Sequence, residues 1–142
     1  MSESHPRYFD QLVLELRSWI SETKGTRVLY LEGDLGVGKT QLTKELLCSF
    51  GFSMNEVQSP TFLKMLEYDV PSLGRVLHLD CYRMDEAEDL ENLSLEHYID
   101  QVELIIVEWP SLFKQYLKLS GLDRLWIAAC SQKSISLKPH NS

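Results

Sequence analysis

The eight residues from position 33 to 40 constrain this chain more than any other feature of its sequence. They read G-D-L-G-V-G-K-T and match the pattern G-x-x-x-x-G-K-[ST] at every required position. Residues 28–31 before them predict a short buried strand, and residues 41–47 after them predict an amphipathic helix that is closed by Gly51. In this order, backbone N–H groups and the positive end of the helix dipole face phosphate groups. The sequence therefore predicts a P-loop (Walker A) nucleotide site.

The motif also predicts a role for each of its residues. Lys39 is expected to reach the β- and γ-phosphates and to take part in catalysis, and Thr40 is expected to ligate Mg²⁺ through its hydroxyl. The nucleotide is not expected to be GTP, because an N-K-x-D motif, which would read guanine, does not occur in the sequence. The residues expected to contact it here are Gly33, Asp34, Leu35, Gly36, Val37, Gly38, Lys39, Thr40 and Gln41.

Composition limits the class of protein and its partners. A length of 142 residues with 44% hydrophobic content suits one domain that spans residues 1–142. A net charge of −7 argues against direct binding of DNA or RNA, which usually requires a basic face. Three cysteines without a C-x-x-C pair predict reduced thiols that fill the core. Neither a membrane-spanning run nor a signal sequence is evident, so a cytoplasmic protein is expected.

Strands alternate with helices along the chain, which predicts an α/β fold with a mostly parallel central sheet flanked by helices. Residues 69–74 are rich in turn formers and predict an antiparallel hairpin at one edge. Ser94 is predicted to cap a helix imperfectly. The remaining expected elements are a helix at 8–21, strands at 62–68, 75–79 and 102–107, an acidic solvated segment at 85–91, a helix at 95–99 and another at 112–119, and closing strands at 125–130 and 134–137.

Two carboxylates follow predicted strands. Glu108 ends the apolar run 102–107, and ligands of open α/β sheets bind beyond the carboxyl ends of strands, so Glu108 is a predicted Mg²⁺ ligand. Asp80 lies in H-L-D-C-Y-R, where His78 and Asp80 point to one face of a strand. Asp80 is predicted to assist catalysis by orienting water, binding Mg²⁺ or accepting a proton. The alternative is an edge strand with a solvated His78 and an ion pair between Asp80 and Arg83.

Two further positions are weaker candidates. Thr61, in S-P-T-F, follows the predicted loop helix at the distance at which nucleotide switches occur, and it is a candidate sensor of the γ-phosphate. Trp109 is expected to pack, to cap the site or to stack on a partner.

The ordered set G-D-L-G-V-G-K-T, S-P-T-F, H-x-D-x-Y-R, an acidic L-E-x-L stretch and V-E-W-P resembles the TsaE (YjeE) family, over residues 8–110. The resemblance implies a P-loop NTPase-like fold and weak ATP hydrolysis in isolation. It also implies support of the TsaB–TsaD complex, which forms threonylcarbamoyladenosine beside the anticodon of tRNA, and contact with tRNA only through that complex. By matched position it implies that Thr40 and Glu108 ligate Mg²⁺, that Asp80 and Thr61 lie in switches, and that Trp109 faces nucleotide or partner.

The sequence departs from the family at two positions. Ser94 stands where the family usually has Gly. Near the last strand, where the family usually carries an Arg pair beside the adenine, Lys133 is the basic residue of Cys130–Lys133, so it is the remaining candidate for contact with the base.

Two other functions remain open on the same fold. A small-molecule kinase needs cations to clamp the transferred phosphoryl group, whereas the segment 85–91, where many kinases place lid arginines, is acidic here. A nucleotide-gated binding module with little turnover differs from a partner-dependent ATPase only in rate.

Overall fold

Six strands form one sheet within the residues that the computed structural model describes, which are 4–32, 37–57, 65–82, 87–121, 125–130 and 135–138. The order of the strands across the sheet is β2-β3-β4-β1-β5-β6. Their bounds are β1 Arg27–Leu31, β2 Met65–Val70, β3 Gly74–Asp80, β4 Leu104–Glu108, β5 Trp126–Cys130 and β6 Ile135–Lys138.

Among the described residues, one helix precedes the first strand and three others lie between successive strands. Short 3₁₀ turns lie at Met54–Glu56 and Leu95–His97, and Gly51, at a φ of +96°, follows α2 as the sequence predicted. None of the described helices combines the length and the apolar character that crossing a bilayer requires. The four helices are α1 Ser4–Glu22, α2 Val37–Cys48, α3 Ala87–Glu91 and α4 Ser111–Leu119.

The middle of the sheet is parallel and its edges are antiparallel. Strands β3, β4, β1 and β5 run parallel to one another. Strand β2 pairs antiparallel with β3 at one edge, and β6 pairs antiparallel with β5 at the other. Every residue of β1 and β4 is buried, because both faces of these central strands are covered. The predicted α/β class, the hairpin and the antiparallel edge strands are confirmed.

The sheet separates two apolar cores. One core lies against α1 and α2 and contains Leu16, Leu29, Leu46 and Ile106. The other lies against α3 and α4 and contains Val28, Leu90, Ile105 and Phe113. Successive strand residues point to opposite cores, so the odd and even positions of β4 face different helices. This alternation decides which strand-end side chains can face the first turn of α2.

Three details differ from the sequence-based expectations. Helix α1 begins at Ser4 rather than at residue 8. Cys48 is exposed at the end of α2, so it does not fill the core, whereas Cys81 and Cys130 do. Ser94 makes no side-chain capping hydrogen bond, and residues 95–97 form a 3₁₀ turn instead of a longer helix.

The backbone at Ser94 is left-handed, with a φ of +56° and a ψ of +46°. This conformation is strained for a residue with a Cβ and is free of strain for glycine, which accounts for the glycine usual at this place in the family that the sequence resembles.

We expect Ser94→Gly to stabilise the fold by about 0.5–1 kcal/mol, because relief of the left-handed strain exceeds the entropy that glycine adds to the unfolded chain. For a chain of this length the midpoint of thermal unfolding should rise by about 2–4 °C. Ser120→Gly is the matched control, since Ser120 also lies in a turn but has a φ of −89°. A midpoint that falls in Ser94→Gly, or rises equally in both variants, would contradict this account.

Candidate active site at the carboxyl edge of the sheet

Two carboxylates end neighbouring parallel strands at the same edge of the sheet. Asp80 closes β3 and Glu108 closes β4, and their Cα atoms are register partners. Glu108 is also the register partner of Leu31, the last residue of β1. After β1 the chain continues to α2 on one face of the sheet, and after β4 it continues to α4 on the other face. Such a point of divergence is where open α/β sheets bind ligands.

Lys39 brings a positive charge to this edge. It lies in the first turn of α2 and its side chain is almost fully buried, at 3% exposure. The Lys39 Nζ atom lies 3.7 Å from the centre of the Trp109 ring, and Trp109 directly follows Glu108. A desolvated contact between an ammonium and an indole ring is worth about 2 kcal/mol. The ammonium is therefore held beside the end of β4.

Glu108 is tied to a histidine inside the sheet. The Nε2 atom of His78 lies 2.8 Å from the Oε2 atom of Glu108, and His78 is fully buried. Glu108 itself is 6% exposed. The alternative interpretation of His78 as a solvated residue on an edge strand is wrong, because β2 covers the outer side of β3. Sequence alternation placed His78 and Asp80 on one face, yet it did not reveal the contact with Glu108.

Asp80 organises the chain that leaves β3. Its Oδ1 atom accepts a hydrogen bond of 2.9 Å from the backbone N–H of Tyr82. The backbone N–H of Cys81, between Asp80 and Tyr82, donates to the carbonyl oxygen of Glu108 at 3.1 Å. The Cys81 bond ties the ends of β3 and β4 to each other, and the Tyr82 bond orients the Asp80 carboxylate.

Two aromatic side chains border the site. The rings of Tyr82 and Trp109 are 4.9 Å apart and tilted by 47°, and the residues are 62% and 40% exposed. Trp109 has a φ of +56°, an unusual backbone conformation for so large a residue. Strain of this kind persists where the surroundings enforce it and is concentrated at functional sites. Here the Lys39 ammonium and the Tyr82 ring flank the strained residue.

A cleft of about 400 Å³ opens beside these rings. It is also lined by Glu32 and Lys114, which form an ion pair with each other. Cys81 lines the cleft too, but burial, together with the nearby Asp80 carboxylate, raises the pKa of its thiol to about 12. The thiolate form that nucleophilic catalysis requires is therefore scarce at neutral pH, and Cys81 is not a candidate nucleophile.

The donor atoms at this edge fit the chemistry of Mg²⁺. Magnesium prefers carboxylate and hydroxyl oxygens and is usually bound by one or two carboxylates together with phosphate groups and water. Glu108 supplies a carboxylate, one oxygen of which is engaged by His78. Thr40 supplies a hydroxyl from the first turn of α2 and is half-buried. The residue types predicted as ligands therefore suit the ion.

Several predicted site residues lie outside the described part of the chain. Thr61, Arg83 and Lys133 are among them, and so are the loop residues Gly33, Asp34, Leu35 and Gly36. Val37, Gly38, Lys39, Thr40 and Gln41 fall within α2, which begins at Val37 and therefore four residues before the helix predicted at 41–47. Two features of this edge that sequence reasoning missed are the stacking of Lys39 on Trp109 and the bond from His78 to Glu108.

Comparison of the sequence with known protein families identifies the family of this chain. Residues 9–136 match the family described as threonylcarbamoyl adenosine biosynthesis protein TsaE. The chain belongs to the TsaE family. With this family the fold is P-loop NTPase-like, as the resemblance in the sequence implied.

Individual relatives agree with this assignment. Each of the following is named tRNA threonylcarbamoyladenosine biosynthesis protein TsaE. The protein of Haemophilus influenzae is 34% identical over 71% of this chain and 60% of its own length. That of Rickettsia bellii is 31% identical over 71% of this chain and 69% of its own length. That of Bacillus subtilis is 43% identical over 63% of this chain and 54% of its own length. The matched part of the chain thus spans 54% to 69% of the length of these relatives.

Proposed function

We propose that this chain binds and hydrolyses ATP with Mg²⁺ and thereby supports TsaB and TsaD in forming threonylcarbamoyladenosine beside the anticodon of tRNA. The observation that carries the proposal is the convergence of a buried lysine from the first turn of α2 with the carboxylates that end β3 and β4. The family name gives the pathway of its relatives, and the geometry suggests the chemistry.

Each residue has a task in the proposed reaction. The ammonium of Lys39 and the N-terminus of α2 bind the β- and γ-phosphates. Thr40 and Glu108 hold Mg²⁺, which when bound neutralises charge on the phosphate oxygens. Asp80 orients the attacking water at the adjacent strand end. Since these groups are nearly all buried, their electrostatic interactions with phosphate are stronger than they would be in water.

The stacking of Lys39 on Trp109 suggests how the site behaves without nucleotide. A buried ammonium is unfavourable unless it is compensated, and the indole ring supplies part of that compensation. Phosphate groups are stronger partners for an ammonium than an aromatic ring is. Binding of ATP therefore draws Lys39 towards the phosphates and loosens its contact with Trp109, which places a nucleotide-sensitive aromatic pair at the surface.

The partner-facing side of the protein follows from exposure and charge. Tyr82 and Trp109 are exposed beside the proposed nucleotide site and are the candidates for contact with TsaB and TsaD, together with the acidic segment 85–91. A net charge of −7 opposes direct contact with the phosphates of tRNA. In this proposal, tRNA is held by the partners.

The kinase alternative has less support from the cleft. A kinase requires cations that clamp the transferred group next to an acceptor pocket. In the cleft beside Tyr82 and Trp109, the cation among the described lining residues is Lys114, and it is paired with Glu32.

The proposal predicts that association and turnover both depend on partners. ATP turnover should be slow for the isolated chain and should increase when TsaB, TsaD and tRNA are added together. In a pull-down, TsaB–TsaD should bind the chain more strongly in ATP than in ADP. Trp109→Ala should weaken that binding, while Leu119→Ala, which removes an even more exposed apolar residue from the far end of α4, should not.

Three outcomes would count against the proposal. Tight binding of free tRNA by the isolated chain would contradict the role assigned to the partners. Association that is identical in ATP and in ADP would remove the nucleotide-dependent step. Transfer of phosphate from ATP to a small-molecule acceptor would favour the kinase.

A further inference from the structure

His78 is an unexpected residue at its position in the core. It lies in β3 between an antiparallel and a parallel neighbour, with Leu66 and Ile106 as its register partners, and it is fully buried. An apolar side chain would satisfy this environment without any hydrogen bond. A buried imidazole instead has two ring nitrogens that require partners.

Only one of those nitrogens has a partner within the described residues. Nε2 meets the Oε2 atom of Glu108 at 2.8 Å, whereas Nδ1 is buried without a hydrogen-bond partner there. An ionised carboxylate only accepts hydrogen bonds, so Nε2–H donates the bond to Glu108. The fold therefore tolerates an unsatisfied atom at His78 in order to keep the bond to Glu108.

The hydrogen bond from His78 restricts the orientation of the Glu108 carboxylate. A carboxylate is planar, so fixing one of its oxygens from within the sheet limits where the other can point. Glu108 has few alternative positions, because it is 6% exposed and its backbone is held by β1, by β3 and by the N–H of Cys81. Groups that orient metal ligands in this way commonly change the affinity for the metal by about 10–100-fold.

We infer that His78 is a positioning residue whose Nε2–H holds the Glu108 carboxylate in the orientation that binds Mg²⁺. The inference rests on the proposed function, because it assigns Glu108 to the metal. His78 contacts neither nucleotide nor metal in this arrangement and acts through Glu108.

The test is the affinity for ADP measured by calorimetry in Mg²⁺ and in EDTA. Dividing the two affinities isolates the contribution of the metal and does not involve turnover. His78→Leu, which fills the space without a donor, should reduce that ratio by about 10–100-fold and leave the affinity in EDTA unchanged. His78→Gln, whose amide can place a donor near the position of Nε2, should recover most of the ratio. His78→Asn, which is too short to do so, should not.

Two controls separate positioning from packing. Val76→Ala removes apolar volume from the same strand and the same face, so it should lower stability and leave the ratio unchanged. In a double-mutant cycle, His78→Leu should have no further effect on the ratio once Glu108→Gln is present, because both act through one carboxylate. If His78→Leu does not fold, the contrast between His78→Gln and His78→Asn decides the question.

The outcomes distinguish the two proposals. An ADP affinity in the unmodified protein that does not respond to Mg²⁺ would overturn both. A normal response in the unmodified protein and an equal response in His78→Leu would overturn positioning alone. Equal losses in His78→Leu and Val76→Ala, or additive effects of His78→Leu and Glu108→Gln, would do the same.

Discussion

Lys39→Ala should lower ATP turnover by about 100-fold or more, because it removes the cation proposed to stabilise charge on the transferred phosphate. The ammonium lies in the first turn of α2 and contacts the Trp109 ring, so its removal deletes the side-chain cation that the structure places at this edge beside Glu108. The fold should survive, since the apolar cores on both faces of the sheet do not depend on it. Steady-state hydrolysis by the protein with TsaB, TsaD and tRNA measures the loss.

Lys44→Ala is the matched control for this loss. Lys44 lies in the same helix, carries the same charge and is half-buried, but it follows Lys39 by five residues, which is more than one helical turn. It should hydrolyse ATP at the rate of the unmodified protein. If Lys39→Ala does so as well, the interpretation of residues 33–40 as a phosphate-binding loop is wrong.

Removing the charge of Glu108 should lower the affinity for nucleotide, whereas removing the charge of Asp80 should lower the rate of hydrolysis. Glu108→Gln should weaken binding of Mg·ATP by about 10-fold or more, because a neutral amide is a poor magnesium ligand. Asp80→Asn should bind Mg·ATP nearly normally and hydrolyse it about 100-fold more slowly, since the proposed role of Asp80 lies in the chemical step.

These amide substitutions preserve the local structure better than alanine would. The side-chain oxygen of asparagine can still accept the hydrogen bond from the N–H of Tyr82, and that of glutamine can still accept from the Nε2–H of His78. Affinity would be measured by calorimetry and the chemical step by single-turnover hydrolysis. An equal loss of affinity in the two variants would contradict the division of roles.

Much of the fold could be predicted from residue patterns because the patterns are local. The continuous apolar runs of β1 and β4 predicted strands that are buried on both faces, and the alternation along β3 placed His78 and Asp80 on one face. The motif at residues 33–40 also predicted the helix α2, although α2 begins at Val37, within the motif, and not at residue 41. Each of these depends on a period of two or 3.6 residues, or on a short motif, which the sequence shows directly.

Local patterns were less reliable where backbone conformation departs from the average. Ser94 is a residue type that often caps helices, yet its left-handed backbone prevents that role here. Cys48 follows an apolar helix face but emerges at the exposed end of α2. In both cases the residue type suggested one environment, and the path of the chain at the end of an element decided another.

The order of residues was enough to predict the strand and the helix on either side of the loop, the α/β class, and the lysine, threonine and carboxylates of the candidate site. Which side chains contact each other at this edge depends on the tertiary structure. His78 and Glu108 are 30 positions apart, and Lys39 and Trp109 are 70 apart. Their contacts exist because β3 and β4 are parallel neighbours and β1 lies beside β4. Strand order depends on long-range packing of the whole sheet between two layers of helices, and no local period in the sequence records it.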